Sequence, residues 1–184
     1  MRYICCQPAI DYYTWQVEVL INNFIKHGVN PNQMDIVSAY TPHTGIPEKW
    51  QKLQAHYNTV RFFFYPDTEM DKSYPPSIYF HLMAKHIRAN PELQNEVLFL
   101  HDADIVFTRK PEFDHLERGN TWYLSDTASY LNYDYIMSKG AKVYADMCNI
   151  FHIDPLIPKL NNTNKGGAQY IVKNTTPEFW EKVH

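Results

Sequence analysis

Apolar positions along this chain fall into two alternating patterns. Short runs of β-branched and aromatic residues read as strands, and longer stretches with apolar residues three or four apart read as helices. Residues 2–6 form the first strand, ended by Gln7-Pro8. From Thr14, with Glu18 near it, the pattern turns helical: Trp15, Val19, Leu20, Ile21, Phe24 and Ile25 form a stripe that Gly28 stops. Residues 35–40 are a second strand and 41–47 a loop by their Pro and Gly content. A short helix over 48–56 and a strand over 59–65 follow, then a polar, proline-bearing loop over 68–76. Residues 77–89 read as a helix with Ile78, Leu82, Met83 and Ile87 on one side, broken by Asn90-Pro91. Beyond a long apolar run at 97–107 the pattern predicts a turn or short helix at 111–118, a strand at 121–124 and a helix at 139–150. A polar loop at 161–167, a last strand at 168–172 and a helix from Pro177 complete it.

The run at 97–107 organises the rest. Val97-Leu98-Phe99-Leu100-His101 is apolar on both faces, as a buried parallel strand is, and Ile105-Val106-Phe107 resumes that character. Between them stand Asp102 and Asp104, two positions apart, a spacing that points both side chains the same way in extended chain. Two carboxylates on one side repel unless a cation lies between them. Hard oxygen ligands suit Mg²⁺ or Mn²⁺, which then reach a substrate phosphate. The competing role is a cap on the turn after the strand. His101 reads as a structural neighbour of the pair rather than a ligand.

Strand–helix alternation predicts an α/β fold, a mostly parallel sheet flanked by helices, in which ligands bind at the carboxyl ends of strands. Asp102 and Asp104, Ser125-Asp126 and Gly166-Gly167 all fall at or beside predicted strand ends. No repeat or second domain is evident, so 1–184 reads as a single domain. The net charge of −3 and the lack of a basic block argue against nucleic acid as a partner. No apolar run approaches a membrane span, and the first residues lack the apolar core of a secretory signal. The three cysteines, Cys5, Cys6 and Cys148, form neither a disulfide framework nor a zinc signature, so a reducing, cytoplasmic setting is expected.

Taken in order, Asp102-Ala103-Asp104, Ser125-Asp126 and Asn164-Lys165-Gly166-Gly167-Ala168-Gln169-Tyr170 resemble the DxD region and the later Gly-rich motif of GT-A nucleotide-sugar glycosyltransferases. The likeness is greatest to the viral and plant hydroxyproline-glycosylating type and covers most of the chain. It implies a GT-A-like, Rossmann-like fold. It also implies a nucleoside diphosphate sugar donor, with UDP the expected nucleotide, and a carbohydrate or hydroxylated acceptor. Mn²⁺ or Mg²⁺ would sit on the carboxylates, Asp104 as the firmer ligand and Asp102 reaching the ribose or sugar as well. Residues 7–13 would lie under the base, with Gln7 in contact and Tyr12 or Tyr13 stacked on it. Many members add a late histidine ligand. His184 does not match it, so either water completes the coordination or the chain is short of the family's full fold at its C-terminus.

The residues support this chemistry by themselves. Sugar transfer leaves charge on the departing diphosphate, which a cation stabilises, and an inverting enzyme needs a base for the acceptor hydroxyl. Asp126 is the first candidate base and Asp134 the second; the competing role of Ser125-Asp126-Thr127 is a cap. Gly166 and Gly167 let backbone approach a ligand closely, and Gln169 offers a donor and an acceptor to sugar hydroxyls. Tyr130, Tyr133 and Tyr135 suit either an acceptor floor or an aromatic core. Two other functions compete. One is a haloacid-dehalogenase-like phosphatase using Asp102 and Asp104, although three strand–helix units precede the pair here. The other is a non-catalytic nucleotide-sugar-binding module.

Overall fold

Four parallel strands carry the fold: β1 (Arg2–Pro8), β2 (Met34–Tyr40), β3 (Arg61–Pro66) and β4 (Val97–His101). The computed structural model describes residues 1–163 and 165–184. β1 pairs with β2 on one side and with β4 on the other, and β3 lies outside β2. The chain therefore winds outward from β1 to β3 and then returns past β1 to begin again. The carboxyl ends of β1 and β4 flank this reversal, where such sheets leave a crevice. The register opens it further. Cys5 of β1 pairs with His101, the last residue of β4, whereas Gln7 and Pro8 pair only with Ser38 and Ala39 of β2. β5 (Tyr123–Asp126) and β6 (Gly166–Lys173) complete the hydrogen-bonded order β3-β2-β1-β4-β6-β5.

The described residues form two compact units, one of residues 1–122 and 171–184 and the other of residues 123–170. In the first, α1 (Asp11–Lys26), α2 (Glu48–His56), α3 (Ile78–Ala89) and α7 (Pro177–Val183) cover the strands. α1 buries Val17, Leu20, Ile21 and Phe24, and α3 buries Leu82, Met83 and Ile87, each set at helical spacing. Trp50 of α2 is fully buried and donates its indole N–H to the Ile10 carbonyl at 3.0 Å, tying the helix to the start of α1. Thr176 caps α7 by accepting the Phe179 N–H, and Trp180 stacks on Phe80 of α3 with ring centroids 6.2 Å apart.

Near the amino ends of the strands the core holds a charge. Asp35 is wholly buried between the Arg61 Nε at 3.2 Å and the His86 Nε2 at 3.0 Å. Arg2 lies 3.8 Å from it. A buried carboxylate is tolerated only with such partners. In the second unit, α4 (Tyr133–Ser138), α5 (Ala141–Ile150) and α6 (Leu156–Leu160) accompany β5 and the beginning of β6. Tyr144 and Cys148 of α5 are buried, and Tyr133 meets Tyr144 edge to face at 5.1 Å.

The α/β architecture with its parallel strands and flanking helices matches the expectation from sequence. Two local expectations do not hold, and two short helices were not expected. The organising strand ends at His101 rather than running to Phe107. Gly166 and Gly167 lie inside β6 rather than in the preceding loop, and α4 and α6 had no counterpart in the sequence pattern, while residues 111–118 hold a turn at 114–116, as expected. Among the described residues no helix is long and apolar enough to cross a membrane.

Candidate active site

A cavity of about 380 Å³ opens where β1 and β4 end. Gln7 and Pro8 supply its β1 wall, Tyr12 and Gln16 come from the first turns of α1, and Pro75, Pro76 and Tyr79 lead into α3. Asp102, Ala103 and Asp104 line it as well. Every one belongs to the first unit.

The carboxylates sit on a turn, not on a strand. The chain leaves β4 after His101, and Ala103 is buried between Asp102 and Asp104, both of which are exposed. The alternation of an extended chain therefore does not set their directions, and the apolar run does not bury them. A turn around a buried alanine presents the pair instead. The two remain close in electrostatic terms. Surrounding protein raises the Asp102 carboxyl above its ordinary value, and the negative charge of Asp104 raises it further. Both carboxylates also push up the Cys5 thiol, after the larger effect of its burial. Cys6 is likewise pushed up, chiefly by burial, so neither thiol is a nucleophile in this setting.

His101 does not face the cavity as a ligand. It is buried against Phe24 and Phe99, with ring centroids 5.0 and 5.2 Å away. Burial drops its pKa to about 4, and its Nδ1 lies 2.9 Å from the Asp102 carbonyl. A carbonyl only accepts, so the neutral ring donates from Nδ1 and fixes the first backbone group of the turn. Gln7 is also committed internally. Its Oε1 accepts from the Cys5 thiol at 2.7 Å and its Nε2 donates to the Ser38 hydroxyl at 2.8 Å. One amide proton and one lone pair remain for a ligand. Tyr12 is 59% exposed and meets Tyr13 edge-on at 5.2 Å, so its face is accessible to a stacking partner.

The two carboxylates supply hard oxygen ligands of the type Mg²⁺ and Mn²⁺ take. Those cations are often bound through one or two carboxylates plus substrate phosphates and water. Among the described residues no group of three or more His, Cys, Asp or Glu gathers to hold a metal. The mutual repulsion felt by Asp102 is the local feature a cation would relieve, and on that ground the pair fits one.

Asp126, Gly166, Gly167 and Gln169 belong to the second unit. Asp126 ends β5, is exposed, and accepts the Ala128 N–H on Oδ1 at 2.8 Å, so a capping contact is present. Asp134 accepts from the Asn162 amide at 3.0 Å. Gly166 has a structural cause: a Cβ there would lie 2.3 Å from the Leu124 Cβ, so the absent side chain lets β6 lie against β5. A Cβ at Gly167 would point toward Thr127 Cγ2 at 3.4 Å. Ala168 has a positive φ of 59°, and the Ser125 hydroxyl holds the residues on either side of it, donating to the Gly167 carbonyl and accepting the Gln169 N–H. This kink places Ala168 outward while Gly167 is buried. Asn164, the first residue of the Gly-rich motif, lies outside the described residues.

Of the residues singled out from sequence, the structure brings Gln7, Tyr12, Tyr13, Asp102, Ala103 and Asp104 to one cavity. Sequence reasoning missed Gln16, Tyr79, and Asn23, whose amide holds the Phe107 backbone. The only available signal was Gln16 itself, a polar residue four positions before Leu20 on an otherwise apolar helical stripe.

No protein-family model matches the sequence, and no curated protein matches it. Among solved structures the chain is similar to the mannosyltransferase PcManGT from Pyrobaculum calidifontis in complex with GDP-Man and Mn²⁺. The TM-score is 0.40 and the identity 14%, over 59% of this chain and 29% of that one. The matched region thus spans under a third of that protein's length, and a likeness of this size assigns neither a family nor a chemistry.

Proposed function

We propose that this chain is a metal-dependent glycosyltransferase that takes a sugar from a nucleoside diphosphate donor, with UDP the expected nucleotide, to an acceptor hydroxyl. The observation that carries the reading is the Asp102–Asp104 turn on a cavity at the switch between β1 and β4. A divalent cation held there would supply Lewis-acid stabilisation for the charge on the departing diphosphate. Asp104 and Asp102 would hold such a cation, and Asp102 would orient the ribose or sugar as well. The His101 contact to the Asp102 carbonyl keeps the turn in one geometry. Tyr12 presents a face to the base. Asp126 is proposed as the base toward the acceptor hydroxyl, on its chemistry and its strand-end position alone. Gly166, Gly167 and Gln169 are proposed as the sugar-side contacts, on the motif's resemblance.

The phosphatase alternative places its Asp-x-Asp on the first strand of the core, whereas here the pair follows β4. The test is a panel of nucleoside diphosphate sugars incubated with the full chain and Mn²⁺. Metal-dependent release of nucleoside diphosphate, lost in Asp104→Asn, is the expected result. Hydrolysis of phosphomonoesters in its place supports the phosphatase, and donor binding without turnover supports the binding module.

A further inference from the structure

Gln16 is the polar exception on the buried face of α1, among Val17, Leu20, Ile21 and Phe24. Only 8% of its surface is exposed, yet its carboxamide makes no hydrogen bond with another described residue. The residue is buried as a whole, but its amide atoms are not sealed in the core, so the carboxamide stands open to a ligand on the cavity side. Its one open side is the cavity that also holds Asp102 and Asp104. Gln7, the other amide there, already spends one donor and one acceptor on Ser38 and Cys5, whereas Gln16 has both sides of its amide open.

The walls near Gln16 narrow the ligand. Tyr12 precedes it by four positions on the same face of α1, and Tyr13 by three. With Pro75 and Pro76 they make an apolar, partly aromatic slot, suited to the faces of a flat ring. The carboxamide presents a donor and an acceptor side by side, and its complement is a ring edge carrying an acceptor beside a donor. In a ligand that also carries a diphosphate, that ring is the nucleobase. We propose that Gln16 is the residue that reads the base of the donor, for uracil through the O4 carbonyl and the N3–H. The proposal rests on the cavity being a nucleotide-sugar site.

The test uses the full chain with Mn²⁺ present and three probes: UDP, GDP and inorganic pyrophosphate. Gln16→Leu keeps the volume and removes both polar atoms. It is expected to weaken UDP at least about tenfold and to leave pyrophosphate within about twofold. Gln16→Glu keeps the shape and offers two acceptors, which oppose O4 of uracil but suit the adjacent N1–H and N2–H of guanine. The ratio of UDP to GDP affinity should then fall at least about tenfold, again with pyrophosphate little changed. This second variant decides the matter if Gln16→Leu does not fold. UDP affinity unchanged in both variants overturns the proposal, since the amide then holds only water and the site reading stands. Equal losses of UDP and pyrophosphate also overturn it, because they mark a purely structural residue. A parent protein that binds pyrophosphate and no nucleoside diphosphate overturns it too, and binding of none of the three overturns both the proposal and the site reading beneath it.

Discussion

Asn23 brackets Phe107. The Asn23 Nδ2 donates to the Phe107 carbonyl at 3.0 Å while its Oδ1 accepts the Phe107 N–H at 2.7 Å, so one side chain pairs with the backbone as a neighbouring strand would. The Phe107 ring stacks on Phe24, the next residue of α1, at 4.4 Å. On the other side His101 is fixed by its pairing with Cys5. The carboxylate turn is therefore pinned at both ends, by a strand before it and a side chain after it.

Asn23→Ala leaves both Phe107 groups without that partner. It should destabilise the protein by about 1–3 kcal/mol, because the contacts are partly buried. It should also weaken Mn²⁺-dependent donor binding, since the turn gains freedom. Asn23→Asp keeps the acceptor for the N–H and should recover part of both losses. Denaturant melts and a donor titration on each variant check this; a parent-like melt for Asn23→Ala would show that the bracket holds nothing.

Asp104→Asn separates a metal ligand from a scaffold residue. The Asp102 carboxyl is raised by its surroundings and by Asp104. A raised carboxyl binds its proton more tightly in the folded state than in the unfolded one. Stability is therefore lost as pH rises from the ordinary carboxylate value through the raised one. Removing Asp104 removes the smaller of the two causes. Without metal and near neutral pH, the variant should melt at or slightly above the parent temperature. It should lose the gain in melting temperature that Mn²⁺ plus donor gives the parent, together with nearly all transfer. A structural aspartate behaves in the opposite way on both counts.

The parallel strands were legible because each is a short apolar run bounded by a turn signal, and α2 and α7 because polar and apolar positions there alternate at helical spacing. The turn at Asp102 was not. Phe107 is apolar because it stacks on Phe24, a contact to a helix 80-odd positions earlier, and local pattern cannot tell that from strand continuation. The close approach of Gly166 to Leu124 was not legible either, because Leu124 comes from β5 across a long separation in sequence. Asp35 is buried in a strand through Arg61 and His86, partners that only tertiary structure reveals. The place of Asp102 and Asp104 was readable from the rule that ligands gather at strand carboxyl ends, and that of Gln7 and Tyr12 only through the resemblance, whereas Gln16 was hidden inside a stripe read for its apolar members.

The two glycines of β6 should respond differently. Gly166→Ala drives a Cβ to 2.3 Å from the Leu124 Cβ and should cost about 1–3 kcal/mol through displaced backbone. Gly167→Ala meets Thr127 Cγ2 at 3.4 Å, close to ordinary van der Waals contact, and should fold nearly as well as the parent. Its effect on donor-sugar affinity then reports on function without a folding defect. Thermal melts of the two variants check the contrast, and equal destabilisation contradicts it.

Asp126→Asn preserves an oxygen that can still accept the Ala128 N–H, now made at 2.8 Å. Any loss of turnover then belongs to the carboxylate and not to the cap. If Asp126 is the base, transfer should fall by about 10²–10⁴-fold with donor affinity little changed. Turnover equal to the parent leaves the cap as its whole role.

The most direct test of the account is a titration of UDP into the full chain with and without Mn²⁺. A diphosphate that completes the coordination of a cation on Asp102 and Asp104 must bind more tightly when the cation is present, by at least about tenfold, and the cation must in turn bind more tightly with UDP. Equal UDP affinities in the two titrations would contradict a bridging metal at this turn, and with it the central claim.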